Sequence, residues 1–257
     1  MLGANWHKVL LLFLWITPHV LLAVVAAIVW KRRLHREFPC FFAFILYEIG
    51  EFIVLFPLYS VPGSGKQYAY VFSATLLPSI ALRFGIIDEV SKDLFRESQF
   101  LKVSARRLLQ CVTGLLFGIG VLLAFYAPGN NSARWHAGIS VVNRGAAMVQ
   151  CGLLLSLLLF SSFLGLSWRR PTFGITLGLG VLTSVDLAAS ALRAEFVGNA
   201  AKEYLNLLIT GTSFVCVSIW IRYLLVPEPE LLPPMVLPHD HNEVEIWNKE
   251  LQHFLKQ

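Results

Sequence analysis

Seven runs of apolar residues succeed one another along the chain, at about residues 9–30, 39–59, 68–90, 108–126, 137–166, 171–192 and 204–225, each ended by polar or turn-forming residues. Within each run the hydrophobicity is continuous and lacks the period-two alternation of a transmembrane β-strand. A helix rises 1.5 Å per residue, so roughly 20 apolar residues cross the ~30 Å hydrocarbon core of a bilayer. The pattern predicts an all-α fold: a polytopic seven-transmembrane-helix bundle over residues 1–226, followed by a short segment, 227–257. The interruptions have local causes. Pro62, Gly63 and Gly65 break the chain after the second run, and Pro128 and Gly129 after the fourth. Pro171 opens the sixth run at a position where a missing N–H costs nothing.

Charge orients this bundle. Lys31, Arg32, Arg33 and Arg36 follow the first run, and Arg169 and Arg170 sit at the turn between the fifth and sixth. Loops rich in Lys and Arg stay on the cytoplasmic side. Of the 21 Lys and Arg, fourteen fall on the side shared by these two loops and five on the other, with Arg83 and Arg144 left inside helices. The amino terminus is therefore expected outside and the carboxyl terminus in the cytoplasm. The first run is longer than the apolar core of a signal peptide and has no A-x-A-like site after it, so it reads as a retained helix.

Composition agrees. The chain is 56% hydrophobic and only 14% charged, whereas soluble domains carry about 25% charged residues. The net charge of +5 resides mostly in the short loops that orient helices, so no nucleic-acid partner is expected. Cys40, Cys111, Cys151 and Cys216 contain no CxxC pair and read as small packing residues rather than a disulfide framework or a zinc site.

Ionisable residues at membrane depth are the candidates for chemistry, because each costs about 2.5–3.5 kcal/mol on insertion scales. Counting rise from the inner ends of the helices puts His19, Glu48, Glu51, Arg83, Gln150 and Asp186 in one layer. Glu48 and Glu51, three apart, share a face. The second and third helices are joined by a short turn, so Arg83 is expected to pair with Glu48. Three carboxylates against one guanidinium leave at least one acid that must be protonated or hydrated. Such a layer suits either structural pairing inside the bundle or a solvated pathway or ligand pocket.

Gly114-x-x-x-Gly118 and Gly174-x-x-x-Gly178 permit close helix approach and are read as packing within the bundle. Trp30-Lys-Arg-Arg before an acidic second helix is echoed by Trp168-Arg-Arg-Pro before an acidic sixth, the outline of an internal repeat. Beyond the proline-rich stretch 226–238, Asn242 and Glu245 have capping-box spacing. Val244, Trp247, Leu251, Phe254 and Leu255 then form one apolar face. This amphipathic helix suits the inner leaflet, the underside of the bundle or a cytoplasmic protein partner. His239, His241 and His253 are too loosely spaced to be read as a metal site.

No G-x-S-x-G, H-E-x-x-H, P-loop or G-x-G-x-x-G is present, so a non-enzyme without cofactor or metal is expected. The seventh run contains no lysine for a retinal Schiff base. The segments Glu37-Phe-Pro-Cys-Phe-Phe-Ala-Phe, Phe84-Gly-Ile-Ile-Asp-Glu-Val, Val149-Gln-Cys-Gly-Leu-Leu-Leu, Gly165-Leu-Ser-Trp-Arg-Arg and Phe173-Gly-Ile-Thr-Leu-Gly resemble a family of uncharacterised bacterial seven-helix membrane proteins. The resemblance implies a fold and a bacterial inner membrane, and brings no activity. In helix count and order the chain is also similar to the seven-helix input domains of bacterial sensor kinases, a likeness of architecture alone. A sensory or signalling-type module acting through a partner is the function expected. A small proton- or ion-coupled transporter using Glu48, Glu51 and Asp186 is the alternative, and a membrane scaffold the third.

Overall fold

The first N–H groups and last carbonyls of a helix need partners from elsewhere, and at two helix ends here those partners are side chains from other segments. The computed structural model of the chain describes residues 2–61, 63–95, 131–163, 168–195 and 199–226, with residues 107, 111, 114 and 115 besides. Among the described residues all regular structure is helical and no strand occurs. The helices are α1 (Leu2–Lys31), α2 (Pro39–Ser60), α3 (Gly65–Leu94), α4 (Asn131–Phe163), α5 (Arg170–Glu195) and α6 (Asn199–Leu225), with a 3₁₀ turn at Leu34–Arg36. The chain divides into two compact units, Met1–Val226 and Pro227–Gln257, and these helices all belong to the first. The predicted run 108–126, apart from 111, 114 and 115, lies outside the described residues. So does the C-terminal segment with Val244, Trp247, Leu251, Phe254 and Leu255.

Five stretches among the described residues are long and apolar enough to cross a membrane: Pro39–Leu58, Gln67–Leu94, Val141–Phe163, Arg170–Leu192 and Leu207–Leu225. In α1 the apolar stretch Ile16–Lys31 is shorter. Exposure supports the same reading. Phe163 is 89% exposed, Phe13 64% and Ile53 63%, and Val54, Leu155 and Leu159 also face outward. Water would not tolerate so many large apolar side chains on one surface, and a hydrocarbon solvent does. Five of the helices thus suit a membrane-embedded protein.

Contacts close the helices into a ring: α1 packs on α2, α2 on α3, α3 on α5, α5 on α6, and α6 back on α1. Helix α4 packs against both α3 and α5. Its buried residues Ala147, Gln150, Leu154, Leu157 and Ser161 recur at three- and four-residue intervals, the period of one helix face. Between α5 and α6 the separation is set by glycine. A Cβ on Gly174 would lie 2.3 Å from Cβ of Tyr223, and one on Gly178 would lie 2.2 Å from Nε1 of Trp220. Gly178 thus receives the ring of Trp220, which also meets Phe41 and Phe44 of α2 edge-on, and Gly174 receives Tyr223. Gly114 has nothing within 4 Å of a built Cβ.

At one end of the bundle the helix termini are tied together. Phe38 caps α2 without a side-chain bond of its own; instead the backbone N–H groups of Cys40 and Phe41 donate to the carboxylate of Glu89 on α3. A carboxylate at a helix N-terminus satisfies orphan donors and complements the helix dipole. Conversely, the Arg32 guanidinium donates to the carbonyls of Leu225 and Val226, completing the C-terminus of α6. The chain leaves α1 through Arg33 in the left-handed region, φ 58°.

Several boundaries differ from those the hydrophobic runs predict: α1 begins at Leu2 rather than about residue 9, α4 at Asn131 rather than about 137, and α5 runs to Glu195 rather than about 192. Helix α3 continues past Glu89 through Ser91, which is buried, to Leu94, because Ile87, Val90 and Leu94 keep the core-facing period going beneath the charges. Helix α6 begins at Asn199, before the apolar run, and so includes Lys202 in its first turn.

Candidate functional site

Inside the ring lies a cavity of about 310 Å³ lined by side chains from all six helices. His19 comes from α1, Glu48 and Glu51 from α2, Ser79 and Arg83 from α3, Asn143 from α4, Asp186 and Ser190 from α5, and Thr210 and Ser213 from α6. Apolar and aromatic residues, among them Phe44, Phe72, Leu182 and Trp220, complete the wall.

The polar pairs follow from the register of α2 against α3. Tyr47 Oη donates to the carbonyl of Thr75 at 2.8 Å, Thr75 Oγ1 lies 2.8 Å from Glu51 Oε1, and Ser79 Oγ donates to Glu48 Oε1 at 3.1 Å. These antiparallel pairs place Ser79 opposite Glu48 and leave Arg83 opposite Phe44, one turn further on. The guanidinium accordingly lies 5.8 Å above the Phe44 ring. Its Nη1 donates to Asp186 Oδ2 on α5 at 2.8 Å. The expected Arg83–Glu48 pair is therefore replaced by Arg83–Asp186. A short connection makes two helices neighbours, but the register decides which residues meet.

His19 stacks on Phe52 with ring centroids 4.1 Å apart and planes 19° from parallel. Gln150 departs from the predicted layer. It is buried, 1% exposed, but donates from Nε2 to the carbonyl of Ile80 at 3.4 Å and does not line the cavity. Counting rise along a helix says nothing of azimuth, and successive residues turn by about 100°. Asn143, two turns earlier on α4, occupies the cavity wall instead. The hydroxyls of Ser79, Ser190, Thr210 and Ser213 also went unforeseen, because serine and threonine inside an apolar run carry no signal separating a cavity wall from a packing position.

A second polar cluster lies where α3 ends and α5 begins. Arg169 Nη1 is 2.9 Å from Glu37 Oε2 and 3.2 Å from Asp93 Oδ1, and Thr172 Oγ1 donates to Asp93 Oδ2. Lys92 pairs with Asp88 one turn back. Trp168 donates from Nε1 to Ser161 Oγ at 2.7 Å. Of the residues marked as topology signals, Lys31, Arg32, Arg33, Arg36 and Arg170 are exposed, and Arg169 is half-buried in this cluster.

Compared with protein-family models, curated proteins and solved structures, the chain finds no match.

Proposed function

We propose that the chain is a seven-helix protein of the bacterial inner membrane, amino terminus outside and carboxyl terminus cytoplasmic, that senses a small ligand in the central cavity and signals through a protein partner. The cavity carries this reading. At about 310 Å³ it has the size of a small-molecule site, and it combines apolar walls with a few convergent polar groups. Helix α6 supplies the route outward: Thr210, Ser213 and Trp220 line the cavity, and the helix ends at Leu225, beside Arg32, where the C-terminal segment begins. A ligand that shifts α6 against α5 would move the start of that segment. The absence of any catalytic motif in the sequence fits a protein that transmits rather than transforms. The resemblance to bacterial seven-helix membrane proteins is the support for the compartment, and the distribution of Lys and Arg is the support for the orientation. The test is affinity purification of the full chain and of the same chain lacking residues 239–257. A stoichiometric partner lost with the deletion is the expected result, and equal recovery with both chains would sink the reading.

One observation favours a second reading, a proton- or ion-coupled carrier. Among the described residues Glu48 and Glu51 are bonded to the hydroxyls of Ser79 and Thr75 and take part in no ion pair within 4 Å. Acids so placed can accept and release a cation. Gradient-dependent flux into liposomes, abolished by Glu51→Gln or Asp186→Asn, would establish the carrier; no flux from folded protein would remove it.

A further inference from the structure

Charge on the cavity wall is unevenly shared: three carboxylates face one guanidinium, with His19 the other titratable base there. Arg83, the guanidinium there, is committed to Asp186 at 2.8 Å. Glu48 and Glu51, on one face of α2, are left with neutral hydroxyl donors at 3.1 and 2.8 Å. In a water-poor interior such acids require a positive counterpart, either a proton or a bound cation.

We propose that the cavity binds a small organic cation, its ammonium group held between Glu48 and Glu51; the assignment rests on reading the cavity as a ligand-sensing site. Two observations point to an organic cation rather than an inorganic one. An inorganic ion needs several oxygens converging at about 2.0–2.6 Å. Among the described residues no group of three or more His, Cys, Asp and Glu is arranged to hold a metal ion. The space of about 310 Å³ exceeds what a bare ion fills and suits a molecule of several non-hydrogen atoms. The rest of the lining is chemically the right kind: Leu76, Leu182 and Val217 offer hydrocarbon contact. Phe72 and Trp220 add aromatic surface to the lining, of the kind that attracts ammonium ions. Phe44 is already occupied by Arg83. The site thus reads as two carboxylates for the charge, Ser79 and Thr75 orienting those carboxylates, and an apolar and aromatic bed for the rest of the ligand.

The experiment uses the purified full chain in lipid nanodiscs, titrated with ethanolammonium, choline and tetraethylammonium chlorides. The comparisons are neohexanol, the uncharged carbon isostere of choline, and sodium and potassium chloride at matched ionic strength. Calorimetry and thermal unfolding are the readouts, in buffers from mildly acidic to mildly alkaline. At least one ammonium compound is expected to bind saturably and raise the unfolding temperature, with affinity falling about tenfold or more in Glu48→Gln and Glu51→Gln, as loss of a charge-assisted contact implies. Equal binding of neohexanol would overturn the cation while leaving a ligand pocket standing. An equal response to sodium or potassium would overturn the organic class. No response to any ammonium compound at any pH would mean that protons satisfy the acids, and would also overturn the proposal. If a variant fails to fold, the choline and neohexanol comparison on the unaltered chain still decides. Loss of the tail-dependent partner reading would leave these binding results untouched, so the two can fail separately.

Discussion

Neutralising Asp186 asks how much of the bundle's stability depends on Arg83 having a partner. Asp186→Asn keeps shape and a hydrogen-bond acceptor and removes only the charge. Breaking one side of a fully buried ion pair costs 3–5 kcal/mol, because the survivor is left uncompensated. Here the side chains of Arg83 and Asp186 are 15% and 23% exposed and border a cavity. Glu48 stands about 6 Å along α2 from Phe44, within reach of partial compensation. The expected loss is therefore reduced to about 2 kcal/mol. For a chain of this size 1 kcal/mol moves the unfolding temperature by about 2–4 °C, so a fall of about 4–8 °C is expected. Thermal unfolding in one detergent, followed by tryptophan fluorescence, measures it. The double replacement Arg83→Met with Asp186→Leu supplies the control, since exchanging both partners for apolar residues of similar volume is often neutral or stabilising. A midpoint for Asp186→Asn within about 1 °C of wild type would refute the reasoning. So would a double variant whose loss equals the sum of the two single losses, because the residues would then be uncoupled.

Three other predictions use the same assay. Gly178→Ala forces a Cβ to within 2.2 Å of Trp220 Nε1 and is expected to cost about 1–3 kcal/mol by overpacking. Gly180→Ala meets nothing within 4 Å and should be neutral or stabilising by about 0.5–1 kcal/mol, so similar losses at both positions would contradict the α5–α6 packing. Glu89→Ala removes the acceptor for the N–H groups of Cys40 and Phe41 and should lose about 1–2 kcal/mol; Glu89→Gln, which keeps one oxygen, should lose less. Arg169→Ala should cost under ~1 kcal/mol, because its pairs with Glu37 and Asp93 are partly solvated and exposed pairs contribute little. A loss as large as that of Asp186→Asn would show that this cluster holds the helix ends together.

Prolines, glycines and apolar runs told where the six described helices would be, but not where they end: α1 and α4 begin six or seven residues before their apolar runs, and elsewhere a neighbouring segment supplies the cap. Glu89 shows why. A carboxylate near the end of α3 looks in sequence like a loop charge, and it is a cap only because α2 starts beside it. The same holds for Arg32, which as a sequence feature is one basic residue in a loop and in the bundle completes α6 from the turn after α1. The candidate site was half legible. Depth along a helix is a linear quantity that counting residues recovers, and it put His19, Glu48, Glu51, Arg83 and Asp186 at a common level; all five line the cavity. Facing direction and partner choice depend on helix rotation and on the register between helices that are distant in sequence. Gln150 turned to Ile80, and Arg83 reached past Glu48 to Asp186 on α5, 103 residues away.

By itself the sequence determined the solvent this protein is built for and the helical form of its segments, because a hydrocarbon environment demands continuous apolar runs whose backbone bonds close within the run. Only the tertiary structure decided that α1, α2, α3, α5 and α6 close a ring, that the ring encloses space, and which acids in it are left without a guanidinium. Those outcomes rest on side-chain packing between helices, where one turn of register exchanges one partner for another.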